Sequence, residues 1–237
     1  MYMKIEMTRL HSAFIFPNKF FLVLVFMFFI FSFIAYVTLG NVFIHHNLNT
    51  LVGGFGDWFF LSITEFGNGI VVFILLPFLL FKNPDVAVRL ILAFLLSTLI
   101  VWLFKFVLFD DASRPMKVFA DANIALKTNK GIKMYFNNTF PSGHATTIFT
   151  ILSCIAFAVK NNRLKLLCFI MALIIGFSRV YLSQHFLHDV ASGALIGTFC
   201  SLVVFYWQRN KHYSWKIIRA KILHSKEGMV NNNPQYE

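Results

Sequence analysis

The sequence predicts an all-α fold, an integral membrane bundle of six transmembrane helices. Three observations predict it. Of the 237 residues, 58% are hydrophobic and 13% charged, about half the charged share of an ordinary soluble domain. The apolar residues run in long blocks, and ~20 such residues in a helix cross the ~30 Å hydrocarbon core. Six blocks can be counted, which leaves little of the length for a second domain.

The first block, from about Phe20 to Leu39, is too long for the core of a signal peptide and lacks a small-residue cleavage site, so it reads as a retained span. The second lies within Trp58 to Phe81, and the third runs from about Leu90 to Phe109. The fourth covers about Gly143 to Val159, the fifth Leu166 to Tyr181, and the sixth Val190 to Trp207. The fourth and fifth are short for a full span; tilt or extension into flanking residues makes up such a difference. The expected organisation is a cytoplasmic N-terminus (1–19), a six-helix membrane domain (20–207) and a basic cytoplasmic tail (208–237). Within the tail, Lys211 to Lys226 mixes bases with apolar residues, as a helix lying on the inner leaflet or a solvated segment would. Residues 231–237 read as disordered.

Basic residues set the orientation. With the N-terminus inside, the inner segments hold fourteen of the 21 Lys and Arg. The outer loops hold five: Arg114, Lys117, Lys127, Lys130 and Lys133. That bias puts both termini in the cytoplasm. It also accounts for the net charge of +11 without nucleic acid, for which no recognition segment is present. Lys105 and Arg179 fall inside or at the ends of spans, where charge is expensive and points to function. Cys154, Cys168 and Cys200 lie in apolar segments with no zinc spacing and read as packing residues.

Three polar clusters reach the outer face in this topology. They are Lys105 with Arg114-Pro115, Pro141-Ser142-Gly143-His144, and Ser178-Arg179 with His185 and Asp189. Lys105, Arg114 and Arg179 are three cations suited to phosphate oxygens. Ser142 follows a proline and opens a helix, so it reads as an N-cap. The N–H groups after it favour an anion, and Gly143 has no side chain to hold one off. His185 and Asp189 are four apart and share a face if helical. A carboxylate on one ring nitrogen fixes the tautomer and frees the other to attack. His144 then serves as proton donor to a leaving oxygen and as base toward water. With three cations present no metal and no cofactor are needed, and no metal-binding motif occurs.

The pattern Lys105…Arg114-Pro115, Pro141-Ser142-Gly143-His144, Ser178-Arg179-x5-His185-x3-Asp189 resembles the type 2 phosphatidic acid phosphatase superfamily, which includes the vanadium haloperoxidases and bacterial lipid A phosphatases. The second and third motifs match in full. In the first, eight residues separate Lys105 from Arg114 where the usual pattern has six. The resemblance implies a phosphohistidine on His185, His144 as general acid and base, and Asp189 orienting His185. It implies phosphate contacts from Lys105, Arg114, Ser142, Gly143 and Arg179, and a metal-independent site on the periplasmic or extracellular side.

The expected activity is that of a lipid phosphatase in the cell, or inner, membrane, with the bilayer and a phosphorylated membrane lipid as its partners. Lipid A, undecaprenyl pyrophosphate, phosphatidylglycerol phosphate and phosphatidic acid are candidate substrates. A lipid-to-lipid phosphotransferase would use the same site. A scaffold or transporter does not need both histidines and the aspartate, and a haloperoxidase does not need the membrane. Nothing in the sequence sets an oligomeric state. His188, three residues after His185, can reach a similar face but reads first as an interfacial residue; His45-His46 could bind a metal but read first as polar residues of an outer loop. Asp110-Asp111 read as a turn. Glu65 sits beside the site if the second span starts at Trp58, and on the surface if it starts nearer Gly69.

Overall fold

The computed structural model describes residues 2–129 and 132–210, with side chains from Asn18 to Arg209. Every regular element among the described residues is helical. These are α1 (Tyr2–Leu39), α2 (Asn41–Asn49), α3 (Phe55–Thr64), α4 (Ile70–Lys82), α5 (Pro84–Leu103), α6 (Pro115–Asp121), α7 (Gly143–Ala158), α8 (Asn162–Tyr181) and α9 (Leu187–Asn210). The tail segment 211–226 and residues 231–237 lie outside the described residues.

Among the described residues four helices are long and apolar enough to cross a bilayer, over Asn18–Leu39, Pro84–Leu108, Asn162–Tyr181 and Leu187–Arg209. Residues Phe55–Gly67 and Ile70–Lys82 qualify only as a pair, bent by 61°. The protein is a multi-pass membrane protein, with four candidate spans among the described residues, or five counting the bent pair. The fifth predicted segment extends back to Asn162, whereas the fourth stays at 16 residues.

The second segment is therefore not the straight helix its hydropathy implied. A 3₁₀ turn, Glu65–Gly67, follows α3, and Asn68 is extended (φ −73°, ψ 139°). The Asn68 side chain accepts from Ile70 N at 3.2 Å and restarts the helix. The break brings backbone against His144: a Cβ on Gly67 would stand 3.1 Å from both the Cβ and the carbonyl oxygen of His144. Glu65 is exposed, while its neighbour Thr64 is buried.

α7 forms the centre of the bundle, packed by α5, α8 and α9. Its closest neighbour is α9, and two glycines explain how close. A Cβ on Gly193 would lie 2.6 Å from the carbonyl oxygen of Ser142, and one on Gly197 would collide with that of Thr146. Small residues four apart let membrane helices meet backbone to backbone. Thr150 Oγ1 donates to Ser97 Oγ at 3.3 Å, and Ser153 pairs with Thr198 at 3.1 Å, tying α5 and α9 to α7. Aromatic edges from Phe21, Phe149, Phe157 and Phe169 fill the rest of this core. All three cysteines are buried and free.

Two of the bases assigned to inner segments turn back into the bundle. Lys165 Nζ donates to Asn18 Oδ1 at 2.8 Å, joining α8 to α1. Arg89 Nε donates to Gln208 Oε1 at 3.1 Å, joining α5 to α9.

Candidate active site

α8 ends at Tyr181 and α9 begins at Leu187, so His185 lies in the short connection between them. The backbone N–H groups of Gln184 and His185 both donate to Arg179 O, at 2.9 and 3.1 Å. Ser183 takes a left-handed φ of 53° to make that tight turn. His185 is thus not on one helical face with Asp189, as the four-residue spacing implied. Asp189 stands in the first turn of α9 and reaches back, its Oδ2 accepting from Phe186 N at 2.8 Å.

The link between the two residues also differs from the expected direct pair. His185 Nδ1 is 3.5 Å from Asp189 Oδ2, at the limit of hydrogen-bond reach. Thr139 fills the gap: its hydroxyl donates to Oδ2 at 2.6 Å, and its Oγ1 lies 3.2 Å from His185 Nδ1. A hydroxyl has one hydrogen, so with that hydrogen on Asp189 the oxygen accepts from Nδ1–H. Among the described residues Nε2 of His185 has no hydrogen bond. Burial, opposed by Asp189 and assisted by Arg114 and Lys105, pushes the His185 pKa down to about 3. The ring is neutral at ordinary pH, with Nε2 carrying a free lone pair.

The cations come from three elements. α5 passes into a single π-helical stretch, Phe104–Leu108, and Lys105 sits in it. Such stretches hold extra residues within a helix, which accommodates the irregular spacing to Arg114. Lys105 Nζ donates to Asn138 O at 2.7 Å. Arg114 Nε donates to Asn137 O at 2.9 Å, and Nη1 to Gln184 O at 2.9 Å. Its guanidinium lies 5.2 Å from the Tyr135 ring centroid, stacking that half-exposed ring over the site. Arg179 Nη1 donates to Thr64 Oγ1 at 2.9 Å, while its buried Nε has no hydrogen-bond partner among the described residues. Thr64 thus makes the hydrogen bond from the bent segment to this cluster, and Glu65 beside it, though exposed, acts on Arg179 through its charge.

Ser142 caps α7 as expected, its Oγ accepting from Ala145 N at 3.4 Å. Its own N–H donates to Asp189 O at 3.1 Å, which fastens the start of α7 to the start of α9. Among the described residues the N–H groups of Gly143 and His144 have no hydrogen-bond partner. A Cβ on Gly143 would touch only Val101, at 4.0 Å, so packing does not require glycine there. A cavity of about 210 Å³ runs beside His144, lined by Gly67, Gly69, Ser97, Thr98 and Thr146 among others. The ensemble offers a bare ring nitrogen, three cations, free N–H groups at a helix N-terminus and a second imidazole. Those are the parts that bind a tetrahedral oxyanion and transfer it.

Three features of the surroundings were missed in the sequence. Thr139 is one; no spacing rule singles out a threonine. The second is α2, which is a helix where an outer loop was expected. His45 on it is buried, its Nε2 3.1 Å from Ser183 Oγ, and Asn49 Nδ2 donates to the same oxygen at 3.3 Å. The third is the partner of His188, which lies on α9 against Asp189, 3.1 Å from Nε2 to Oδ1. No group of three or more His, Cys, Asp or Glu placed to hold a metal occurs among the described residues.

A family model described as the PAP2 superfamily matches residues 86–213, more than half of the chain. The chain belongs to the PAP2 superfamily. The PAP2 match encloses all three motifs, from Lys105 to Asp189. Among solved structures, Aquifex aeolicus LpxE is 30% identical with a TM-score of 0.59, covering 70% of this chain and 94% of that one. The first transmembrane PAP2 type phosphatidylglycerolphosphate phosphatase from Bacillus subtilis gives a TM-score of 0.60 over 81% of this chain and 98% of that one. At 20% identity that second likeness is one of fold. The bacitracin transport permease protein BcrC of Bacillus licheniformis is 38% identical over 79 residues, 33% of this chain. That match spans 37% of the relative's own length.

Proposed function

We propose that this PAP2 protein is a membrane lipid phosphatase that hydrolyses a phosphate monoester or pyrophosphate on an envelope lipid through a phosphohistidine at His185. The observation that carries the reading is the His185 ring: Nδ1 faces Thr139 and Asp189, and Nε2 is bare beside a cluster of cations. In the first step Nε2 attacks phosphorus, the N–P bond forms and the bond to the lipid oxygen breaks. His144 gives that oxygen its proton; the dianionic phosphate, once bound, favours the protonated ring. Lys105, Arg114, Arg179 and the N–H groups of Gly143 and His144 hold the phosphoryl oxygens, with Ser142 keeping the helix start in place. In the second step His144 takes a proton from water, the new O–P bond forms, and His185 leaves as a neutral ring. No step calls on a metal ion. Membership of PAP2 and the likeness to LpxE support a lipid substrate.

In the bilayer the bent pair forms the second of six spans and the short α7 the fourth. Both termini are then cytoplasmic and the site faces the periplasm or exterior, an arrangement supported by the distribution of Lys and Arg.

Purified protein should release phosphate in EDTA from at least one of lipid A, undecaprenyl pyrophosphate, phosphatidylglycerol phosphate and phosphatidic acid. Acid-labile ³²P should be trapped on the protein during turnover and be absent from His185→Ala. Release that requires a divalent ion, or label that persists in His185→Ala, overturns the mechanism.

A further inference from the structure

We propose that His188 is a positioning residue for this reaction, holding the second oxygen of Asp189 while Asn41 on α2 holds His188. The inference rests on the phosphatase reading above and deepens it. Asp189 is fully buried. Its Oδ2 is well supplied, by Thr139 Oγ1 at 2.6 Å and Phe186 N at 2.8 Å, with His185 Nδ1 at 3.5 Å. Its Oδ1 has no aligned hydrogen-bond donor. A carboxylate oxygen buried without a donor is costly, and such groups nearly always find one. Nε2 of His188 stands 3.1 Å from it, close enough for an ion pair although its N–H is not aimed squarely along the contact.

The far side of the ring is held as well. Nδ1 of His188 is 2.9 Å from Asn41 Oδ1, at the first residue of α2. The oxygen and nitrogen of an Asn amide are interchangeable in placement; with the amide N–H toward the ring, Nδ1 accepts and the neutral ring carries its proton on Nε2, facing Asp189 Oδ1. The carboxylate favours that tautomer, since a bare Nε2 would set its lone pair against those of Oδ1. The ring plane is set by stacking on Tyr36 (4.9 Å, 23°), Phe140 (5.9 Å, 18°) and Phe186 (6.0 Å, 21°). Phe140 adjoins Thr139 and Phe186 adjoins His185, so the ring is wedged beside both partners of Asp189. The resulting line runs Asn41, His188, Asp189, Thr139, His185. A carboxylate held at one oxygen can pivot; held at both, it keeps Thr139 and His185 in one orientation.

A purely structural role would rest on the stacking, and two substitutions separate the roles. His188→Phe keeps the flat ring and loses the N–H. His188→Gln loses the ring and places an amide N–H where Nε2 was. Positioning predicts that His188→Gln keeps kcat within about threefold and that His188→Phe lowers it about tenfold or more with KM little changed, since hydrogen bonds to charged groups are the stronger class. A normal kcat in His188→Phe, or an equal loss in both variants, overturns the proposal. Should His188→Phe fail to fold, Asn41→Ala releases the ring from outside the core. It should lower kcat about two- to fivefold, and an unchanged kcat is equally fatal. A readout independent of turnover is the ¹⁵N resonance pair of the His185 ring in histidine-labelled protein. It should move in His188→Phe and stay in His188→Gln. Wild-type protein that releases no phosphate sinks the phosphatase reading alone, and the His185 resonances still decide the role of His188.

Discussion

Thr139 is the residue on which the tautomer of His185, the proposed nucleophile, turns, because it reaches both His185 and Asp189 at better distances than they reach each other. Thr139→Val keeps shape and removes the bridge. It should lower kcat about ten- to a hundredfold, the worth of a hydrogen bond to a charged group, while Thr139→Ser stays close to wild type; phosphate release on both variants checks this. His45 tests a different residue-scale effect. Burial lowers its pKa to about 4, below its ordinary 6.5, with Asp189 opposing. The folded protein therefore rejects a proton that the unfolded chain accepts. Stability is intact above pH 6.5 and is lost as pH falls toward 4, by roughly 1.4 kcal/mol per unit. His185 acts in the same direction, with its pKa near 3. Thermal melts in detergent should show the acid slope shrinking in His45→Gln, and an unchanged slope would remove His45 from the account. The residues proposed to bear the chemistry could be picked out in the chain because histidine, arginine and aspartate at fixed spacing are rare by chance. Thr139 and His188 could not, since their meaning lies in what the fold sets beside them.

At the level of helices, the contact of α7 with α9 decides how far His144 stands from His185. Gly193 and Gly197 set that contact, and a glycine pair four apart in an apolar helix is a signal the sequence does carry. Either glycine to alanine forces the helices apart, at about 1–3 kcal/mol for overpacking. Gly193→Ala presses on the carbonyl oxygen of Ser142, at the site itself, whereas Gly197→Ala presses one turn deeper, on Thr146. Activity measured at matched stability should therefore fall further in Gly193→Ala; equal loss would mean the start of α7 tolerates displacement. The apolar blocks showed where helices lie, since hydropathy reports burial in lipid. It does not report direction, which is why the 61° break after α3 was invisible. Nor did it show α2, whose polar residues Asn41, His45 and Asn49 recur every four positions and brace the His185 connection.

Seen as a whole, the molecule is uneven in height. α7 has 16 residues and α4 has 13, about 24 and 20 Å at 1.5 Å per residue. The spans Asn18–Leu39, Pro84–Leu108 and Leu187–Arg209 have 22, 25 and 23 residues, about 33, 38 and 35 Å, enough to cross the ~30 Å of a hydrocarbon core. The start of α7 is fastened to the start of α9 through Ser142 N and Asp189 O, and the end of α1 lies at the same level, with Tyr36 stacked on His188. The length that α7 lacks is therefore missing at its other end, remote from His144. The recess opens on the far face of the bundle, and the imidazole stands level with the rim that its neighbours form around it. A headgroup then meets the ring without sinking, so bilayer thickness is not a variable of the reaction. Turnover should differ little between vesicles of fourteen-carbon and twenty-carbon lipids at equal substrate fraction, and a rate that falls steeply with chain length would place the imidazole below the headgroups.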